Sequence, residues 1–514
     1  MTDTTAAQEK PTRLLRFLNA VERVGNMLPD PVSLFIISII IVMVLSALLQ
    51  GTTSVNPATG EPVAAVSLLD SAQVRRLFME LPQVLTSFPP LGIVLVVIIG
   101  SGLAERSGFF AAALKGLVRA VPKPLLTLTI VFAGVQANIA SDAGYVVLIP
   151  LAAVVFASAG RHPVAGLSAA FAGVAGGFAA NFAITPGDGI LSGMTQAAAA
   201  LIDKSYKVEI TANWYFLSAL VPIYTIVGTL VCERIVEPRL NAGAPWTPVA
   251  PPPADAAQDG REARGLRLAG ICFLMVVALI AWLAWAPGAP LRGDDGSFEP
   301  LFRSMVAIMF LVFLACGLGY GVGAGVIKSD KDAVSLASKG VGDISAYLVL
   351  VFFASVFVAL FTWSNMGTLL AISGAETLKG AGLDGTPVVL LFSVILLAMM
   401  CDMLIGSASA KWAILAPILV PMFMLLGIAP EATQAAYRVG DSTTNMLTPF
   451  MSYFPLILVM ARKYMPDYGI GSMVALMLPY TVSFFLASGA FFVLWYSLGI
   501  PFGPGVENVY VPGP

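Results

Sequence analysis

The stretch that decides the fold runs from Asp402 to Met422, DMLIGSASAKWAILAPILVPM, and resumes at Tyr437 as YRVGDSTTNMLTPFMSYFPL. Each part is an apolar run with a polar interruption: Asp402 through Ser409 in the first, Gly440-Asp441 through Thr448-Pro449 in the second. Lipid offers no hydrogen-bond partners, so a break in a membrane helix is tolerated only where protein or a water-filled cavity buries it. The same grammar occurs upstream, where Ser141-Asp142-Ala143-Gly144 interrupts one run and Thr185-Pro186-Gly187-Asp188-Gly189 interrupts the next. Interrupted helices in corresponding positions of two halves point to a secondary-transporter site near the bilayer midplane.

Composition agrees with membrane residence. Of 514 residues 58% are hydrophobic and 11% charged, against roughly 25% charged in a soluble domain, and the surplus apolar surface must face lipid. Lys and Arg (28) nearly balance Asp and Glu (30), which leaves no basic field for a nucleic-acid partner. A span needs roughly 20 apolar residues. Runs of that order occur at 32–50, 124–140, 143–160, 213–232, 268–286, 302–326, 346–362, 386–405 and 471–497. Shorter pieces lie at 89–104, 164–184, 189–202, 413–427, 432–447 and 448–461, several paired across Pro, Gly or Asp.

Basic residues in the N-terminal tail, 106–123, 234–267, 328–339 and at Arg462/Lys463 predict cytoplasmic segments. The loops 51–88 and 287–300 and the C-terminal tail then lie outside. An inside N-terminus and an outside C-terminus require an odd number of crossings, and about nine with two re-entrant hairpins fits. The expected fold is therefore an all-α polytopic membrane protein built as an inverted-repeat secondary transporter. Its predicted parts are a cytoplasmic tail (1–31), a first membrane half (32–237) with a hairpin at about 164–202, and a cytoplasmic Pro-rich linker (238–267). A second half (268–500) holds a broken helix at about 386–427 and a hairpin at about 431–461, and an external tail (501–514) follows. The first apolar run has no small-x-small cleavage site and reads as a retained anchor.

Enzymatic chemistry finds little support. His162 is the only histidine, which excludes histidine triads and zinc sets, and the four separated cysteines, three within apolar runs, read as buried hydrophobes. No GxxxxGK[ST] loop is present for ATP. An intramembrane aspartyl protease would want a G-x-G-D context that neither Asp188 nor Asp441 has. A channel would want a filter or sensor motif that is absent.

Ionisable residues inside apolar runs carry a desolvation penalty and are functional candidates for that reason. Asp142, Asp188, Asp402, Lys411, Arg438 and Asp441 qualify. Arg438 and Asp441 share a helix face with Asn445, so they form either a neutralising bridge or a site in which Arg438 takes an anion and Asp441 exchanges a proton or sodium ion. Asp188 is either an N-cap at a hairpin tip or a second carboxylate converging on the same cavity. Gly406 to Trp412 offers unwound backbone and an indole for an aromatic ring, or close-packing residues and an interfacial anchor. Lys411 snorkels or pairs with a carboxylate, and Pro430 and Pro449 stop and restart helices.

Together with Glu22-Arg23-Val24-Gly25-Asn26-Met27-Leu28-Pro29-Asp30-Pro31 and Ser141 to Tyr145, the two long second-half motifs resemble the AbgT family of p-aminobenzoyl-glutamate transporters along nearly the whole chain. That resemblance implies nine transmembrane helices, two hairpins and a homodimer with a pathway in each subunit, in the inner (cytoplasmic) membrane. It implies uptake of p-aminobenzoyl-glutamate or export of p-aminobenzoate-like compounds, including sulfonamide antimetabolites. Ion-coupled export of such small aromatic anions is the leading expectation. It places substrate contacts on Asp188, Ser409, Trp412, Pro430, Arg438, Asp441 and Pro449. Ion coupling falls on Asp188, Asp402, Asp441 and Asn445, with a sodium ion, the one cofactor in prospect, at Asp402, Asp441 and Asn445. Asp402 stands where the family pattern has Asn, and an extra carboxylate either tightens a cation site or moves coupling toward protons.

Overall fold

A computed structural model describes residues 31–511 except 56–59, 61, 120–121, 141–143, 244–245, 247–255, 287, 344, 449–450 and 452. The expected N-terminal tail up to residue 30, Asp142, Pro449 and residues 244–245 and 247–255 of the Pro-rich linker lie outside the described residues.

The described chain is helical through most of its length, and seven helices are long and apolar enough to cross a membrane: Pro31–Leu48, Ser71–Arg106, Trp214–Asn241, Gly260–Trp285, Met305–Ala324, Ser345–Trp363 and Ile470–Ser497. Several keep their apolar side chains outward. Only 17% of the first and 11% of the Gly260–Trp285 span is buried, and Ile36, Ile40, Val44, Leu274, Met275 and Trp282 are exposed, as a lipid-facing surface requires. The interior is the reverse. Every residue of Pro430–Thr444, PEATQAAYRVGDSTT, is buried although the helix is rich in polar groups. Polar side chains placed there must find partners inside the protein.

The duplicated grammar is realised as two successions of the same parts. In the first half, Leu126–Gln136 ends in a short 3-10 turn at Ala137–Ala140, and from Gly144 a π turn leads into Ile149–Ser158. Pro163–Phe171, the loop near 180–185 and Pro186–Ala199 follow, and then the long helix from Trp214. In the second half Pro387–Asp402 breaks before Ala408–Met424, followed by Pro430–Thr444, Phe454–Arg462 and the long helix from Ile470. Both inserted helix pairs open with proline at the first helical position, Pro163 and Pro430, where the missing N–H costs no hydrogen bond. The arms interlock across the halves: Pro186–Ala199 lies along Pro89–Arg106 and Ala408–Met424, and Pro430–Thr444 packs on Pro387–Asp402, Ile470–Ser497 and the end of the first pair. Gly440 permits the tightest of these approaches, because a Cβ there would lie 2.2 Å from the carbonyl oxygen of Ile395.

Three expected boundaries differ. The runs 124–140 and 143–160 read as separate crossings in sequence, yet the helices within them, Leu126–Gln136 and Ile149–Ser158, are each too short to span. The piece 89–104 continues the helix Ser71–Thr86 into a 36-residue segment; the first part carries Arg75, Arg76 and Glu80, which mask it as a loop in a hydropathy reading. The remainder of 51–70 holds a small ribbon in which Thr53 pairs with Ala64. The linker is also shorter, since Glu237–Asn241 and the helix from Ala256 enter it from both sides.

Candidate functional site

Two buried ion-pair systems lie where the interrupted helices meet. In the first, Thr185 caps the helix Pro186–Ala199 and Asp188 closes a capping box: the Thr185 N–H and hydroxyl donate to Asp188 Oδ2 at 2.5 and 2.7 Å. The other oxygen, Oδ1, accepts from Arg438 Nη1 at 2.5 Å. Asp188 is thus both a cap and a site carboxylate, one role for each oxygen. The pair joins the first half to the second, and its side chains are 4% and 2% exposed. Arg438 Nε has no hydrogen-bond partner.

The second system spans the break in Pro387–Asp402 and Ala408–Met424. Lys411 Nζ bonds Asp402 Oδ1 and lies 2.6 Å from Asp441 Oδ1, with all three side chains almost wholly buried. Asp402 ends its helix and Lys411 sits in the first turn of the next. Each charge is therefore at the unfavourable end of its helix dipole, an arrangement that costs about 0.3–1 kcal/mol apiece and is offset by their pairing. Tyr437 O–H donates to Ala408 O at 2.6 Å and lies 3.1 Å from Asp441 Oδ1. The Arg438–Asp441 bridge, one of the two readings of that helix face, is not formed: helix spacing brings the two to one side, but Arg438 pairs with Asp188 and Asp441 with Lys411.

Trp412 is fully buried, which removes it from the membrane interface. Its ring stacks on Tyr437 with centroids 4.5 Å apart, and its indole N–H donates to Thr195 Oγ1 at 2.9 Å. Thr195 donates to Gln434 Oε1 at 2.6 Å, and Gln434 Nε2 donates to Asn213 Oδ1 at 2.9 Å. Asn213 Nδ2 donates to the Glu431 carbonyl at 2.9 Å, while the Glu431 carboxylate accepts from Tyr206 O–H at 2.8 Å. This network links Pro186–Ala199, Ala408–Met424 and Pro430–Thr444.

The remaining candidates are less engaged. Ser409 is half-buried, 3.3 Å from Ser407 Oγ, and it is Ser407 that caps the helix by accepting from Ala410 N–H. Pro430 begins its helix and Asn445 lies buried just past the end of it. Between the carboxylates expected to take a sodium ion, the Lys411 ammonium holds Oδ1 of Asp402 and Oδ1 of Asp441, while Oδ2 of each has no hydrogen-bond partner. Among the described residues no cluster of three or more His, Cys, Asp or Glu could hold a metal. Sequence reading missed Thr195, Asn213, Glu431, Gln434 and Tyr437. It also missed Asn181, whose amide is buried in the first loop with neither polar atom partnered.

The model of the AbgT transporter family matches residues 16–510 of this chain. The chain belongs to the AbgT family. An AbgT relative, the p-aminobenzoyl-glutamate transport protein of Escherichia coli, is 36% identical over 494 residues, covering 95% of this chain and 96% of that one. Two AbgT structures are similar as well. The YdaH transporter of Alcanivorax borkumensis, described as having an unusual topology, is 41% identical with a TM-score of 0.89, across 93% of this chain and all of that one. MtrF of Neisseria gonorrhoeae, described within a class of antimetabolite efflux pumps, is 41% identical with a TM-score of 0.86, across 96% of this chain and all of that one. Membership makes this AbgT chain a multi-pass membrane transporter.

Proposed function

We propose that this protein is an ion-coupled secondary transporter of small aromatic anions of the p-aminobenzoate and p-aminobenzoyl-glutamate class, exporting sulfonamide-like antimetabolites from the cytoplasm. The observation that carries the reading is Arg438: buried, paired to Asp188 across the two halves, and with Nε still free to donate. A substrate carboxylate or sulfonyl group exchanging for Asp188 at the guanidinium replaces one acceptor with another. Asp188 falls back on its cap with Thr185. The Trp412–Tyr437 stack next to Arg438 in sequence offers an aromatic surface for the ring. Breaking and remaking the Arg438–Asp188 pair ties substrate occupancy to the relation between the two interrupted helix pairs, the coupling that alternating access needs.

In this reading the seven long helices and the two broken ones make nine crossings, and the inserted pairs at 163–199 and 430–462 are re-entrant hairpins. The protein lies in the inner membrane as a homodimer with its N-terminus inside. The name of the E. coli relative favours a second reading, import of p-aminobenzoyl-glutamate. Purified protein in proteoliposomes, given labelled p-aminobenzoate, a sulfonamide or p-aminobenzoyl-glutamate on one side at a time, separates the two. Export predicts movement of p-aminobenzoate or sulfonamide from the face bearing the Lys328–Lys339 segment, and import predicts p-aminobenzoyl-glutamate entering from the other. Movement of none of these compounds overturns both.

A further inference from the structure

Glu431 is a buried acid that the Arg438 site does not use. It stands in the first turn of Pro430–Thr444 and is 2% exposed. Its carboxyl accepts from the neutral hydroxyl of Tyr206, 2.8 Å away, and from its own backbone N–H, and no cation is near it among the described residues. The contrast with its neighbours is instructive. Asp188 has Arg438, and Asp402 and Asp441 share Lys411, whereas Glu431 has no opposite charge. The helix N-terminus and the residue's own backbone N–H favour a carboxylate there, but no side-chain cation offsets its desolvation, a penalty the neutral acid does not bear.

The surroundings connect this acid in both directions. Inward, the Glu431 carbonyl is held by Asn213, and Asn213, Gln434, Thr195 and Trp412 continue the chain of hydrogen bonds to the Trp412–Tyr437 stack. Outward, the Tyr206 ring meets Tyr510 edge-on with centroids 5.6 Å apart. The Tyr510 hydroxyl lies 3.3 Å from the half-buried carboxylate of Asp203. The acids bearing on Tyr206 and Tyr510 are Glu431, Asp203 and Glu507, and the flanking lysines, Lys204 and Lys207, are exposed on the same segment, with neither among the side chains bonded to Glu431. Tyr206 and Asn213 belong to the segment that leaves the first helix pair, and Glu431 opens the second. Any motion of one pair against the other therefore changes what surrounds this carboxyl.

We infer that Glu431 is a proton-carrying residue of the transport cycle. It holds a proton on its carboxyl while packed against Tyr206 and releases it to water when the two helix pairs separate and hydrate it. The O–H bond breaks, the proton leaves as hydronium, and the same carboxylate is reprotonated before the packed state re-forms. The inference rests on the reading of the protein as an ion-coupled transporter.

The test is Glu431→Gln, which keeps the shape and the acceptor for Tyr206 but cannot titrate. In proteoliposomes, wild-type protein and the variant are compared in two assays with labelled p-aminobenzoate. One is accumulation driven by an imposed pH gradient, and the other is exchange against unlabelled p-aminobenzoate at equal pH on both sides. The expected result is exchange within about twofold of wild type and at least a tenfold loss of gradient-driven accumulation. Tyr206→Phe, which removes only the hydrogen bond, should keep accumulation but shift its pH profile. Gradient-driven accumulation by Glu431→Gln at the wild-type level overturns the inference, as does loss of exchange and accumulation in equal measure. Wild-type protein that exchanges without responding to a pH gradient overturns it too, and wild-type protein that moves no substrate instead overturns the transport reading beneath it.

Discussion

Arg438 in the second half of the chain holds Asp188 of the first at 2.5 Å, with both side chains nearly out of contact with solvent. Removing one member of a buried pair strands the other, at a cost of about 3–5 kcal/mol. Arg438→Ala and Asp188→Ala should each destabilise the protein by that order and abolish transport. The double variant should be less destabilised than the sum of the two, since neither charge is then left alone. Thermal unfolding of the three variants checks this, and simple additivity would show that the pair carries no coupling.

Lys411 binds two carboxylates at once, so its loss leaves both uncompensated. Lys411→Ala is expected to cost more than Asp402→Asn, which keeps the Lys411–Asp441 contact at 2.6 Å. Unfolding midpoints in detergent would rank the two, and the reverse order would contradict the arrangement.

Trp412 contributes by stacking and by one hydrogen bond. Trp412→Phe retains a ring against Tyr437 and loses the donor to Thr195, a loss of about 1 kcal/mol. Trp412→Ala empties a fully buried site and should cost about 3–5 kcal/mol. Equal effects of the two on stability would mean that the ring stack contributes nothing.

Gly440→Ala places a methyl group 2.2 Å from a backbone oxygen that cannot rotate away. Overpacking of this kind typically costs about 1–3 kcal/mol. Because Arg438 and Asp441 flank Gly440 on the same helix, transport should fall together with stability. A normal Tm for this variant would show that the helices approach less closely.

The C-terminal segment folds back onto the turn that precedes the second helix pair and the loop that follows the first. Tyr510 N–H donates to Gly427 O at 2.9 Å, Ala429 N–H donates to Asn508 O at 3.3 Å, and the Tyr510 hydroxyl reaches Asp203. Hydrogen bonds, first that from the Ser205 hydroxyl, lower the Asp203 carboxyl from its usual value, while burial raises the Tyr510 hydroxyl to about 12. A carboxyl lowered by folding adds stability above its unfolded value of about 3.9 and loses it as pH falls through the folded value. The tail should therefore become more sensitive to proteolysis below about pH 4, and Asp203→Asn should remove that dependence. A cleavage rate indifferent to pH in this range would count against the contact.

Much of the interior was legible because charge is costly in lipid. Asp188, Asp402, Lys411, Arg438 and Asp441 stood out as ionisable residues within apolar runs, and the structure brings all five to the interrupted helices. Their pairing was not legible, since spacing along one helix speaks only for neighbours on that helix: Arg438 and Asp441 look paired in sequence and find Asp188 and Lys411 in space. Glu431 escaped notice because it stands one residue outside the apolar run that begins at Ala432. Ser71–Thr86 reads as loop in sequence because its charged face dilutes its hydropathy. Asp188 and Asp441 also prove to occupy different arms of their helix pairs, the second arm and the first, so they are not mirrored as their motifs suggest.

The central claim is that substrate moves through the Asp188–Arg438 site, and the most direct measurement is flux of labelled p-aminobenzoate in proteoliposomes containing wild-type protein, Arg438→Ala or Asp188→Asn at matched incorporation. Wild-type protein should carry the label above protein-free vesicles, and both variants should fall to that background. Wild-type rates in either variant would contradict it.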